Sequence, residues 1–173
     1  MDTINVYAGR PGAGKTIWAR NEITHLLTDP NNIVFYIGFR REIESINSGI
    51  QNAAGEMHFA DDATASQAID CAISLANAAA QNGSSNMSEE EQATRKQIYI
   101  FYDQCRYMID SAIREKLLAA VKAGAQVNIL CQYYHQVDTN DKAWLIDNCT
   151  CFVITKTRAP RLADEKDLLT AYC

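Results

Sequence analysis

"TINVYAGRPGAGKT" (Thr3–Thr16) decides how the rest of this chain is read. Thr3–Ala8 is a short apolar run that suits a buried strand, and it leads directly into Gly9. From Lys15 the pattern turns helical, with Ala19, Ile23, Leu26 and Leu27 on one face. Between strand and helix, Gly9, Arg10, Pro11, Gly12, Ala13, Gly14, Lys15 and Thr16 satisfy G-x-x-x-x-G-K-[ST] at every defined position. The residue types have a chemical reason. Gly9, Gly12 and Gly14 permit positive φ, so consecutive N–H groups can converge on one anion. The first turn of the following helix adds positive potential. Lys15 is placed to reach β- and γ-phosphates, and the Thr16 hydroxyl to ligate Mg²⁺. On average residue usage, a chance match in a chain of this length arises in about one per cent of cases or fewer. The stretch reads as a nucleotide site.

Outward from that loop the chain repeats a strand–helix rhythm. "TDPNN" ends the first helix with a proline and turn formers. "IVFYIGF" (Ile33–Phe39) is a continuous apolar run, as a strand buried on both faces requires. Ala63–Gln81 predicts a helix with Ala65, Ala68, Ile69, Ala72, Ile73 and Ala76 inward. A low-complexity stretch follows, in which Ser88 and Glu91 could cap a short helix. Residues 83–95 are expected to be a flexible segment. Ile98–Tyr102 is the next strand, and a helix from about Asp110 to Ala123 turns Ile113, Leu117, Ala120 and Val121 inward before Gly124 stops it. "QVNILC" (Gln126–Cys131) and "CTCFVIT" (Cys149–Thr155) complete the strands, with a helix between them. The expected fold is α/β: a single domain with a mostly parallel five-stranded sheet and helices on both faces.

"IYIFYDQCRY" (Ile98–Tyr107) places Asp103 at the carboxyl end of a strand, where open α/β sheets hold their ligands. Beside a phosphate loop, Asp103 is expected to accept hydrogen bonds from a Mg²⁺-bound water next to Thr16. A plainer role is a strand-ending aspartate that caps the next helix. Gln132 ends another strand and could touch the γ-phosphate or the attacking water. Gln104 is an amide and cannot accept a proton.

Composition narrows the class. The chain has 173 residues, 47% hydrophobic and 21% charged, which is ordinary for a folded domain. No apolar run approaches the roughly 18 residues of a membrane span, and the first residues do not resemble a signal peptide. A cytoplasmic location is the resulting expectation. The net charge of -5 argues against indiscriminate nucleic-acid binding. The charge is uneven: residues 1–94 hold 5 Lys/Arg and 12 Asp/Glu, residues 95–173 hold 11 and 9. A mildly basic C-terminal half leaves room for a phosphate-binding surface. Among six cysteines only Cys149 and Cys151 are closely spaced, and no further Cys or His lies near them. Reduced thiols acting as small apolar residues are expected, rather than a zinc site or disulfides.

Four stretches in this order resemble one family: "GRPGAGKT", "IYIFYDQ" (Ile98–Gln104), "AAVKAGAQVNILCQYYHQVD" (Ala119–Asp138) and "CFVITKTRAP" (Cys151–Pro160). Together they are similar to the FtsK–HerA class of DNA-pumping P-loop ATPases, and within it to the small DNA-packaging ATPases of membrane-containing icosahedral viruses. The likeness spans most of residues 3–161. It implies an ATP-dependent viral genome-packaging motor that uses ATP and Mg²⁺, and an ATP hydrolase of the P-loop NTPase kind. It implies a homo-oligomeric ring, DNA, most readily double-stranded, as cargo, and capsid or membrane-vertex proteins as partners. It also implies host cytoplasm, with possible association with the virion. Carried over by position, Gly9–Thr16 would bind the triphosphate, Thr16 and Asp103 would hold Mg²⁺, and Lys15, Asp103, Gln104 and Gln132 would serve catalysis.

Two positions depart from the family pattern. The usual acidic pair is Asp103-Gln104 here, so the expected general base is missing; losing one typically costs about 10²–10⁴ in rate. The basic residue before the glycine is Lys122 where arginine is common, and lysine cannot offer a planar fork. Gln104 could orient water without deprotonating it, Glu42 or Glu44 could reach the water instead, or hydrolysis could be weak. Arg106, Arg114, Arg158 and Arg161 are candidates for a cation donated to a neighbouring subunit, and Tyr133, Tyr134 and His135 for base stacking or a subunit seam. Competing readings are a filamentous-phage-type assembly or secretion ATPase, whose members usually carry a membrane span after this core, and a nucleotide-gated structural protein with weak hydrolysis. A small-molecule kinase would need an arginine-rich lid, and Gly83–Thr94 contains no arginine.

Overall fold

The computed structural model describes residues 3–9, 12–81, 95–105, 109–132 and 139–154, with the side chains of 104, 105 and 152–154 outside that description. Runs of branched and aromatic residues form six strands: β1 (Thr3–Gly9), β2 (Asn32–Gly38), β3 (Glu56–Ala60), β4 (Gln97–Cys105), β5 (Gln126–Gln132) and β6 (Cys151–Ile154). Helices α1 (Lys15–Leu26), α2 (Arg40–Asn47), α3 (Ala65–Gln81), α4 (Ser111–Lys122) and α5 (Thr139–Asn148) connect them. The strands form one sheet in the order β3-β2-β4-β5-β1-β6, and every adjacent pair is parallel. The α/β fold expected from the sequence is therefore observed, with all five anticipated strands present. A sixth, β3, adds an edge.

Alternation along the strands splits the core into two layers. Ile33, Phe35 and Ile37 of β2 join Ile98 and Ile100 of β4 beneath α3 and α4, whose inward residues include Ala65, Ile69, Ala72 and Ala76, and Leu117, Ala120 and Val121. Val34 and Tyr36, one residue out of phase, face the opposite side with Phe101 and Leu130, beneath Ala19, Ile23 and Leu27 and beneath Ile46 of α2. Every residue of β2 is buried, as a strand with helices on both faces requires. A fully buried Ile69 or Ile23 contributes about 1.5–3 kcal/mol relative to exposure.

The helix ends follow local chemistry. Asp110 caps α4, its carboxylate accepting from the Ala112 amide at 2.8 Å. Such a cap contributes about 0.5–2 kcal/mol. Gly124, at φ 98°, ends the same helix where a side chain would strain the backbone. Arg114 of α4 binds Asp141 of α5 at 2.6 Å, and Asp141 also accepts from the Ile109 amide at 3.0 Å. This buried junction joins the exit of β4 to the helix after β5.

Two elements were not anticipated: α2 and β3. α2 has one buried residue, Ile46, so its apolar period is too short to register. β3 reads Glu-Met-His-Phe-Ala and pairs on one side only, with β2. The cysteines also divide differently from expectation. Cys131 is buried and Cys149 half-buried, but Cys71, on the outer side of α3, and Cys151 are exposed. Of the expected flexible segment, residues 83–94 lie outside the described residues. Among the described residues no helix is long and apolar enough to cross a membrane.

Candidate functional site

The strand order sets the geometry. β5 lies between β1 and β4, so the phosphate-loop strand and the Asp103 strand are two spacings apart, roughly 10 Å, with their carboxyl ends on one side of the sheet. Gly9 pairs with Gln132 across β1 and β5, and Gly38 pairs with Asp103 across β2 and β4. Thus the tip of β5 stands beside the loop and next to the acidic strand.

The loop itself adopts the backbone its glycines permit. Gly12 lies at φ 78° and Gly14 at φ 87°, and a Cβ built on either meets no atom within 4 Å. Each side chain position therefore faces open space, so a Cβ would intrude into the cradle that the loop leaves. Gly14 precedes α1, and its carbonyl accepts from the Trp18 amide at 2.8 Å to begin the helix. Trp18 stacks on Tyr7 of β1 with ring centroids 3.6 Å apart, pinning helix to strand on either side of the loop. Arg10 and Pro11 lie outside the described residues.

Lys15 is 5% exposed, and its Nζ donates to the Gly9 carbonyl at 2.6 Å. Burial lowers its pKa, while the charge of Asp103 and then the Cys131 thiol push it back up. Asp103 is 1% exposed, and its Oδ2 accepts from the Tyr36 hydroxyl at 2.6 Å. Burial, then the Asp103 charge and hydrogen bond, then Glu42, push the Tyr36 phenol far above the ordinary tyrosine range. Tyr36 was missed in the sequence. Its signal was a tyrosine inside an apolar run, since a buried phenol needs a hydrogen-bond partner. The register between β4 and β5 shifts between Tyr102, opposite Ile129, and Cys105, opposite Cys131. The extra residue makes a bulge at Asp103–Gln104, a device that re-aims side chains at sheet rims.

A cleft of about 410 Å³ opens over the loop, lined by Gly12, Gly14, Lys15, Thr16, Ile17, Arg41, Glu42, Ser45 and Gln132. It brings together the loop, the tip of β5 and one face of α2. Arg41, Glu42 and Ser45 complete a wall that sequence reasoning left open between Glu42 and Glu44. Glu44 instead takes Arg40 at 3.0 Å on the solvent side. Ile17, 58% exposed, is the one large apolar side chain left prominently in solvent among the described residues. Asp103 does not line the cleft.

This set can hold a polyphosphate: backbone donors and Lys15 suit oxyanions. Thr16, whose hydroxyl is on the cleft wall, and the buried Asp103 carboxylate are the residues that would hold Mg²⁺. Of the four candidate cations only Arg114 lies among the described residues, and within the chain Asp141 holds it. Arg106, Arg158, Arg161, Tyr133, Tyr134 and His135 lie outside the described residues.

A glycine loop between an inner parallel strand and its helix, an acidic strand two places away and a further strand inserted between them define the class: the fold is that of P-loop NTPases. Among solved structures the chain is similar to the genome packaging NTPase B204 from Sulfolobus turreted icosahedral virus 2. The complex of that protein with AMP superposes with a TM-score of 0.58 at 14% identity, over 99% of this chain and 82% of that one. Its complex with AMPPCP gives 0.56 at 16% identity and the same coverage. At that identity the likeness is one of fold. The sequence matches no protein-family profile and no curated protein.

Proposed function

We propose that this protein is a Mg²⁺-dependent ATP hydrolase that packages a viral genome, acting as a DNA-translocating motor of the FtsK–HerA kind in a homo-oligomeric ring. The observation that carries the reading is the convergence at one end of a parallel sheet of the Gly12–Gly14 cradle, buried Lys15 and Asp103, with Gln132 on the strand between. In this reading Gly9–Thr16 wraps the triphosphate and Lys15 neutralises its β- and γ-oxygens, leaving the Gly9 carbonyl to do so. Mg²⁺, held by Thr16 and by Asp103 through water, would supply further charge neutralisation on the phosphates. Gln132 senses the γ-phosphate, and Tyr36 holds Asp103 in position.

The fold shared with a genome packaging NTPase supports the packaging half of the reading. The order of the four sequence stretches supports the FtsK–HerA assignment. Double-stranded DNA as cargo, capsid or membrane-vertex proteins as docking partners, and a host-cytoplasmic protein that joins the virion belong to the same proposal.

Steady-state ATP hydrolysis with and without double-stranded DNA, beside Lys15→Ala, tests it. Turnover that rises with DNA, requires Mg²⁺ and disappears in the variant is the expected result. Tight ATP binding with no turnover under either condition would replace the motor with a nucleotide-gated structural role.

A further inference from the structure

Gln104 leaves the site without a proton acceptor at the position next to Asp103. The wall of the cleft supplies another carboxylate. Glu42 stands in the first turn of α2, directly after β2, the strand whose last residue pairs with Asp103. It lines the cleft with Lys15, Thr16 and Gln132. Its Oε2 is buried and accepts no hydrogen bond among the described residues. Buried polar oxygens are normally hydrogen-bonded, so this one is suited to accept from a donor that arrives with a ligand.

We infer that Glu42 is the general base of this site, taking the proton of the water that attacks the γ-phosphate. The inference rests on the reading of the protein as an ATP hydrolase. As the water oxygen bonds to the γ-phosphorus, its proton passes to the Glu42 carboxylate. The bond from the γ-phosphorus to the β–γ bridging oxygen breaks, and the electron pair leaves with ADP. Inorganic phosphate is the second product, and Glu42 returns its proton to solvent.

The helix selects this carboxylate over its neighbour. Residues two apart on a helix point about 200° apart around the axis, so Glu42 and Glu44 cannot share a face. Glu44 spends its Oε1 on Arg40, with side chains 64% and 92% exposed. Ser45, one turn on from Glu42, lines the same cleft.

The test compares wild type, Glu42→Gln, Glu42→Asp and Glu44→Gln in ATP turnover and in binding of the methylene-bridged analogue AMPPCP. Glu42→Gln is expected to lose about 10²–10⁴ in kcat while AMPPCP binds within threefold of wild type or tighter, on the order of the smallest change such titrations resolve. Glu42→Asp keeps the base and is expected to recover part of the loss, and Glu44→Gln to match wild type. A Glu42→Gln variant that binds the analogue and turns over ATP at the wild-type rate would overturn the assignment and leave the hydrolase reading intact. Wild type that binds AMPPCP without hydrolysing ATP would overturn both.

Discussion

The Tyr36 hydroxyl donates to Asp103 Oδ2 at 2.6 Å from one strand to its neighbour, in the buried layer beneath the loop helix. That bond helps to hold the one acid of β4, two residues before the strand ends. Hydrogen bonds to charged groups contribute about 1.5–3 kcal/mol. Tyr36→Phe is expected to lower unfolding stability by that amount in denaturant titration, and to reduce ATP turnover more than nucleotide affinity.

The same bond sets an alkaline limit. A phenol whose folded pKa is raised above its ordinary value of 10.0 binds its proton more tightly in the folded state. Its contribution is therefore complete below pH 10 and declines as pH rises above it, by about 1.4 kcal/mol per pH unit for one proton. Unfolding curves between pH 9.5 and 11.5, roughly the window above the free-tyrosine pKa, are expected to fall more steeply for wild type than for Tyr36→Phe. Tyr7, pushed up to about 12 chiefly by burial, contributes equally to both and cancels.

Gly38 makes room for that phenol. A Cβ at Gly38 would stand 2.7 Å from Tyr36 Cε1 and 3.3 Å from its hydroxyl oxygen. Gly38→Ala is expected to displace the ring and cost about 1–3 kcal/mol. In the double variant with Tyr36→Phe the two costs should add to less than their sum, because both act on one contact. A double-mutant cycle in urea measures the coupling.

Gly14→Ala tests the loop backbone alone. The site is sterically open but sits at φ 87°, so the penalty is conformational. About 1–2 kcal/mol of stability is expected to be lost, together with nucleotide affinity measured by calorimetry.

Arg114→Ala separates a strut from a catalytic cation. Asp141 is 2% exposed and would remain buried, still accepting from the Ile109 amide. Removing one member of a buried pair typically costs about 3–5 kcal/mol. The variant is expected to unfold earlier, whereas adding it to wild type should not poison turnover beyond dilution.

The local parts of this protein were legible because their signals are local. Gly9, Gly12 and Gly14 followed by Lys15-Thr16 define the loop, and the helix faces of Ala19, Ile23 and Leu27 or of Ala65, Ile69 and Ala72 follow from periodicity. Gln132 was legible as a strand end and Asp103 as an acid near the carboxyl end of a strand, although β4 runs two residues further, to Cys105. α2 and β3 escaped because a short charged helix with one buried residue and an edge strand bearing Glu56 and His58 carry little apolar pattern. The partner of Asp103 escaped for another reason: Tyr36 lies 67 residues away in sequence, and only parallel pairing of β2 with β4 brings it near.

By itself, the sequence determined the phosphate loop, the strand–helix alternation and the residue types at the strand ends, since each depends on neighbours within a few positions along the chain. Only the tertiary structure decided that β5 lies between β1 and β4, that Tyr36 holds Asp103, and that Glu42 rather than Glu44 faces the cleft. Those choices depend on strand order and on the rotation of α2 about its axis. Both are fixed by packing between residues distant in sequence, which no local pattern records.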